Sequence, residues 1–301
     1  MQLVLSYEVR AALDEGRAVV ALESTLITHG LPAPDNLEVA LGAEHDLRAG
    51  GAVPATIAVL SGELRVGLAQ DELHLLAELG PDALKLSLRD LAPALASGSS
   101  GGTTIAATAW VAARAGIAVF ATGGLGGVHL GARKTWDVSA DLLALREAPV
   151  VVVCSGVKSI LDVAATLEVL ESASVTLAAY RCDSVPGFYV AATAHRAPWR
   201  FDSAEEVAAA YRAASALGLK GALVVANPPN PGLSPAEHDE LMTEADRAAT
   251  ARSVSGKEVT PFLLAEIARL SHGRTLVLNK ALVRANVRLA ADIATALALP
   301  P

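Results

Sequence analysis

The chain has 301 residues, of which 52% are hydrophobic, 4% aromatic and 19% charged, and its net charge is -8 at pH 7. That length allows a large buried core, and the charge content argues against disorder. The acidic balance excludes a general nucleic-acid-binding surface but leaves room for a local basic pocket. Alanine, leucine and valine fill the core, which suits helices stacked on a sheet better than an all-β barrel.

The predicted elements follow in chain order. Helix 6–15 and strand 18–22 come first, then helix 34–49, strand 52–60 and helix 70–79. Helix 103–115 leads into strand 118–121, and strand 150–153 into helix 160–170. Strand 175–180, helix 203–217 and strand 221–226 follow, and helices 235–248, 260–271 and 280–297 close the chain. Strands separated by helices of this length predict an α/β fold, layered α/β/α, with a central, mostly parallel mixed sheet flanked by helices. The proline-rich stretch from Asn227 to Ser234 follows a strand and precedes a helix, so it reads as a structured loop rather than a linker. One domain spanning 1–301 is the simplest organisation.

No stretch reaches the about 20 uncharged apolar residues of a membrane helix. The longest apolar run, 105–119, is interrupted by Arg114 and Gly116. The N-terminus lacks the basic and long apolar regions of a signal peptide, so a cytoplasmic protein without a membrane partner is expected. Cys154 and Cys182 form no metal or redox pattern, and Cys154, at the end of a valine run, reads as a buried thiol.

Five segments could carry chemistry. Strand 18–22 ends directly in Glu23, and ligands of open α/β sheets gather at the carboxyl ends of strands. Glu23 is therefore placed for acid–base work, although a turn-capping glutamate fits the same letters. The run from Ser97 to Thr104 is rich in small residues and precedes a helix, which suits an anion. A flexible loop with an N-cap explains it equally. The run Thr122-Gly-Gly-Leu-Gly-Gly-Val-His129 resembles a dinucleotide turn, but the third glycine position is His129 and no helix opens there. A phosphate or sugar cradle with Thr122 and His129 as side-chain donors fits better.

Asp137 and Asp141 are four apart and would share a helix face, where hard oxygen ligands suit Mg²⁺ or Mn²⁺. An ordinary helix start also explains them. Lys158 lies just past the valine strand where a helix is predicted to begin, and both surroundings disfavour its charged form. Such a lysine can attack a carbonyl carbon. A lysine reaching solvent is the alternative. Lys85, in an apolar stretch, is a second lysine that could bind phosphate.

Taken together, the chain resembles the pseudouridine-5′-phosphate glycosidases, also called the indigoidine synthase A-like family. The resemblance rests on Val20-Ala-Leu-Glu-Ser-Thr, Gly51-Ala-Val-Pro-Ala-Thr-Ile-Ala, Ser87-Leu-Arg-Asp-Leu and Phe120-Ala-Thr-Gly-Gly-Leu-Gly-Gly-Val-His. Asp137-Val-Ser-Ala-Asp-Leu, Ser155-Gly-Val-Lys-Ser-Ile-Leu-Asp, Leu223-Val-Val-Ala-Asn-Pro and Gly256-Lys-Glu-Val-Thr-Pro-Phe-Leu-Leu continue it in order along most of the chain.

The resemblance implies an enzyme that cleaves the C–C glycosidic bond of pseudouridine 5′-phosphate to uracil and ribose 5-phosphate, with Mn²⁺ or another divalent metal, as a homotrimer. It assigns Lys158 to a Schiff base with C1′ of the ring-opened ribose and Glu23 to proton donation. It implies substrate contacts at Lys85, Ile105, Ser139, Ala140 and Asp141, a metal ligand at Asp137, and active-site positions at Thr122 and His129. Asn279 and Asn286 are both candidates for a family asparagine, with local letters that depart from the pattern. A C–C bond offers no leaving heteroatom to protonate, so the usual carboxylate pair is insufficient and an imine-forming amine is required. Two rivals share the lysine and the phosphate cradle. They are a Schiff-base phosphosugar aldolase or lyase, and a non-catalytic sugar-phosphate-binding protein.

Overall fold

The structure is a computed structural model that describes residues 3–254 and 259–299. The family-like stretch from Gly256 begins outside the described residues.

Runs such as Val19–Leu22, Val151–Cys154 and Leu223–Ala226 are buried at every position. Continuous apolar runs are what a parallel sheet covered on both faces requires. Seven strands run parallel in the order Val53–Leu60, Val19–Leu22, Val119–Ala121, Val151–Cys154, Leu223–Ala226, Thr176–Tyr180 and Trp199–Phe201. Glu63–Val66 and Gly101–Thr103 pair antiparallel with Val53–Leu60, so the sheet is mixed at that side. Val4–Leu5 and Leu84–Leu86 complete its eleven strands.

Alternate residues of each strand feed two apolar cores on opposite faces. Ala21, Val152 and Val224 join one core, with helices Tyr7–Asp14, Ile105–Ala115 and Val163–Ser172 over them. Val20, Val151 and Val225 join the other, under helices Asp35–Ala49, Ala204–Ala216 and Arg274–Ala298. The expected α/β/α layering is present. No described helix is long and apolar enough to cross a membrane.

Helix ends follow their caps. Ser6, Ser203 and Ser234 side chains each accept a bond from the backbone N–H three residues on, and Gly116 ends its helix at φ 79°. Two predicted helices begin later than expected. Thr103 belongs to a strand, so that helix starts at Ile105. Leu161–Asp162 forms a two-residue strand, so the next helix starts at Val163, where Asp162 caps it. The last helix starts earlier than predicted, at Arg274.

That helix is the longest of the three over its face. It buries Leu282, Val283, Val287 and Ile293, each worth about 1.5–3 kcal/mol of transfer free energy. Its polar side is fixed by Arg284, whose Nε and Nη2 donate to both oxygens of buried Asp46 at 2.9 and 2.8 Å. These bonds hold the Asp46 carboxyl below its usual range, against the opposing effect of burial. A depressed carboxylate contributes stability above its unfolded value of about 3.9 and loses it as pH falls through the lower folded value. Arg284→Ala should therefore destabilise the protein by about 1–2 kcal/mol at pH 7, with Arg288 keeping part of the charge pairing. In thermal melts the gap from wild type should begin to narrow below pH about 4 and keep narrowing as pH falls through the lower folded value. A gap that does not narrow at all on acidification would mean packing, not the ion pair, carries the effect.

Candidate active site

The carboxyl ends of the central strands open into a cavity of about 400 Å³. Strand Val19–Leu22 delivers Glu23 to its wall, and a π-helical turn, Leu26–Gly30, brings Thr25 and His29 beside it. Short π segments recur at functional sites because they redirect side chains without ending the chain's hydrogen bonding. Thr25 and Thr122 each donate a hydroxyl bond to Glu23, one to each carboxylate oxygen. Thr122 lies behind Glu23 rather than on the cavity wall.

The turn from Gly123 to Gly127 is the centre of the site. Its glycines have no positive φ, so conformational freedom is not their reason. Close approach is. A Cβ on Gly124 would meet the Phe188 ring at 2.5 and 2.8 Å, and one on Gly127 would run into the Thr166 side chain. The cradle expected here is thus filled largely by the protein's own groups.

Three segments lace onto this turn. Ser155 N–H donates to Gly123 O at 2.9 Å, Leu125 N–H to Gly156 O at 2.9 Å, and Lys158 N–H to Leu125 O at 3.1 Å. Val128–His129 then pairs with Leu161–Asp162 in a small antiparallel ladder. Ser139 N–H donates to Gly127 O, and His129 N–H to Asp137 O. Lys158 is therefore pinned on both sides, its own carbonyl accepting from Leu161 N–H at 3.0 Å. It lies in a loop between two strands, not at a helix start, so a helix N-terminus does not act on its ammonium.

Asp137 and Asp141 do not share a helix face. Ser139 caps the helix Ala140–Leu145, and Asp137 precedes it. Asp141 is buried, and its two oxygens accept from Ala106 N–H at 3.0 Å and Gly126 N–H at 3.1 Å. The anion at the N-terminus of helix Ile105–Ala115 is thus a side chain of the chain itself. The Ser97–Thr104 stretch contributes only Thr104 to the cavity; Gly101–Thr103 is tied into the sheet, and Ser100 Oγ accepts from Ser61 N–H. Sequence letters could not distinguish that pairing from a free loop.

Lys85, Ile105, Ser139 and Ala140 line the cavity with Lys158, Asp137 and His129. Burial pushes the His129 imidazole below its ordinary value, and the charges of Lys158 and Lys85 act the same way, against the pull of Asp137 at 4.0 Å. Its surroundings thus favour the neutral imidazole, with three charged side chains within its electrostatic reach. The two asparagines separate. Asn279 is on the cavity wall. Asn286 is fully buried behind it, donating to Thr122 O at 2.9 Å and Gly123 O at 3.3 Å and accepting from Asn227 Nδ2 at 3.1 Å. Asn286 thus holds the glycine turn instead of facing the cavity, and Asn227, in the proline-rich stretch, braces it.

Sequence reading missed Thr25, His29 and Phe188, and reached Thr104 only as the end of the Ser97–Thr104 run. Thr25 had one available signal, a hydroxyl two residues beyond a strand-end carboxylate. Phe188 had none, because its loop reaches the turn through backbone bonds. Cys154 is buried, its thiol pushed up to about 12 by burial, and Cys182 is also free. Among the described residues, no group of three or more His, Cys, Asp or Glu side chains could hold a metal. Asp137 offers a half-exposed carboxylate on the cavity wall, whereas both Asp141 oxygens are engaged. One carboxylate suits a largely hydrated Mg²⁺ or Mn²⁺ that shares a substrate phosphate, and not a closed protein cage.

The geometry can be set against known proteins. A curated pseudouridine-5′-phosphate glycosidase of Saccharopolyspora erythraea is 52% identical over 299 residues, covering 98% of each chain. One of Symbiobacterium thermophilum is 49% identical and covers 99% of each chain. The crystal structure of the prealnumycin C-glycosynthase AlnA in complex with ribulose 5-phosphate superposes with a TM-score of 0.91, at 36% identity and covering 99% of this chain and 97% of that one. The family profile described as indigoidine synthase A like protein matches residues 8–296. The chain belongs to the indigoidine synthase A-like family.

Proposed function

We propose that the protein is a C–C glycosidase that converts pseudouridine 5′-phosphate and water to uracil and ribose 5-phosphate. The observation that carries the reading is the meeting of Lys158 and Glu23, 135 positions apart in sequence, on one cavity wall with the second lysine, Lys85. A single amine, a single carboxylate and a cation are the types the chemistry needs. The naming of half-identical, full-length relatives supports the substrate.

The Lys158 amine forms a bond to C1′ as the C1′–O4′ bond opens and O4′ takes a proton. The nitrogen lone pair then expels uracil C5, leaving an iminium on C1′, while Glu23 delivers a proton to C5. Water hydrolyses the iminium, and ribose 5-phosphate leaves with the amine restored. Thr25 and Thr122 hold the Glu23 carboxylate in one orientation through both oxygens. Neutral His129 accepts or relays a proton near the sugar without adding a third positive charge. Asp137 would hold a divalent cation, Mn²⁺ or Mg²⁺, which when bound neutralises phosphate and sugar oxygens. The same reading includes a cytoplasmic homotrimer; exposed Leu130, Trp136 and Leu143 supply apolar surface for subunit contact.

Borohydride added during turnover should trap ribose 5-phosphate on Lys158, read by peptide mass, and Lys158→Ala should lose both adduct and uracil release. An adduct on Lys85 would exchange the two lysines, and wild-type turnover in Lys158→Ala would remove the covalent route. Glu23→Gln, equal in shape but without a titratable proton, should fold normally and lose about 10²–10⁴-fold in rate. A variant within a few-fold of wild type would reassign the proton donor. Chelation should abolish uracil release and Mn²⁺ should restore it, with Asp137→Asn needing far more metal; full activity of the metal-free enzyme would reject the cation.

A further inference from the structure

Strand Val53–Leu60 changes partner along one edge. It pairs with Val19–Leu22 as far as Thr56 and with Gly101–Thr103 from Ala58 onwards. Ligands of open α/β sheets bind where neighbouring chains diverge beyond the carboxyl ends of strands. Glu23 is the first residue past the split on one side, Thr104 the first past it on the other, and both stand on the cavity wall.

Buried hydroxyls close the split. Ile57 lies between the two ladders, and its carbonyl accepts from Ser24 Oγ at 2.6 Å and from Thr103 Oγ1 at 2.7 Å. Thr103 N–H donates to Ser24 Oγ at 2.9 Å, and Ser24 N–H to Thr103 O at 3.3 Å. Ser24 Oγ is thus donor and acceptor at once, a pair of roles that a methyl group cannot fill and a thiol fills weakly. Gly102 permits the approach, since a Cβ there would lie 2.5 Å from Thr28 Oγ1 and 2.8 Å from Ser24 O. Thr108 Oγ1 extends the cluster from Thr103 Oγ1 at 2.9 Å, and Ser24, Thr103 and Thr108 are all fully buried. Glu23 is therefore fixed in two separate ways. Thr25 and Thr122 orient its carboxylate, but neither joins its main chain to the opposite wall. Ser24 does, because the strand it clasps pairs through Gly102 with Lys85 and leads into Thr104.

We propose that Ser24 is a positioning residue for proton transfer: it clasps the two sides of the split and so holds Glu23 at its working distance from the base carbon. Ser24 itself is not on the cavity wall and acts only through Glu23. This role rests on the functional reading above and deepens it, because it separates the two halves of the reaction. Lys158 is laced to the glycine turn by its own backbone bonds, so imine formation does not depend on the clasp. Delivery of the proton to C5 does. Lys85 keeps its place on the ladder to Gly102 whether or not Ser24 is bonded, so ligand binding is retained as well.

The test compares Ser24→Ala, which removes the clasp, and Ser24→Cys, which fills the same space with a weak donor and carries the test if the alanine variant does not fold. Thr108→Val is the control, since it deletes a buried hydroxyl of the same cluster and leaves every bond of Ser24 in place. Two rates are measured in each: uracil release from pseudouridine 5′-phosphate, and borohydride trapping of ribose 5-phosphate on Lys158. Misplacing a catalytic group by about 1 Å costs about 10²-fold, so kcat should fall about 10–100-fold in the Ser24 variants, with KM within about threefold and trapping within about twofold of wild type. Deuterated water should slow these variants more than wild type, because proton delivery has become the limiting step. Thr108→Val should keep kcat within about twofold. Turnover within about twofold of wild type in the Ser24 variants overturns the proposal. Trapping that falls as far as kcat also overturns it, since the whole site would then have been lost, and so does an equal loss in Thr108→Val. Wild type that neither traps ribose 5-phosphate nor releases uracil would overturn the functional reading itself; an active wild type with unaffected Ser24 variants would overturn only the clasp.

Discussion

The main chain between Thr122 and Gly127 is hydrogen-bonded to three other segments, and each of those segments carries a side chain of the cavity. The Lys158 segment bonds it through Ser155, Gly156 and Lys158 itself, and the Asp137 segment through Ser139 and the Asp141 carboxylate. Asn286 bonds it from the last helix. Such contacts need backbone to approach backbone, and a methyl group at Gly124 or Gly127 would occupy the space of Phe188 or Thr166. The glycines are therefore a packing requirement first, and the position of every reactive group follows from it.

This arrangement explains an apparent excess of polar groups in an apolar interior. Asp141, Asn286, Thr103 and Thr108 are all buried, and each is bonded to backbone or to another buried side chain. Satisfied networks of this kind fix one arrangement, because any displacement leaves a desolvated group unpaired. Asn279 Oδ1 and Thr104 Oγ1 are the contrast, as buried atoms on the cavity wall that the chain leaves without partners. Rigid support and unsatisfied wall atoms together describe a site shaped in advance for a polar ligand.

Much of this was legible in the sequence, for identifiable reasons. The six strands predicted from β-branched runs are all present, because burial on both faces leaves an unbroken apolar signature at Val151–Cys154 or Leu223–Ala226. That Glu23 and Lys158 would come to one cavity was legible from their places just after apolar strands, and both line it with Asp137. The short strands Gly101–Thr103 and Leu161–Asp162 were not legible, since two or three residues carry no period and their pairing is set by distant chain. For the same reason the Ser97–Thr104 stretch read as an anion loop and Lys158 as a helix start. The distinct roles of Asn279 and Asn286 depend on seven positions along one helix, about two turns, and on which neighbours face each. Sequence shows the spacing but not the neighbours.

The position of Asn286 also bears on how the protein comes to exist in a cell. A chain is made from its N-terminus, and its early segments begin to pack while later ones are still absent. The strands that hold Glu23, the glycine turn and Lys158 are all complete well before residue 286 is joined. Until helix Arg274–Ala298 docks, the carbonyls of Thr122 and Gly123 lack the amide that ties them to Ser155 and Asn227. The core on that face of the sheet is also incomplete over that interval, lacking Leu282, Val283, Val287 and Ile293. Helix Arg274–Ala298 is thus both part of the cover of one core and the latch of the glycine turn, so docking it closes the core and braces the turn in one step.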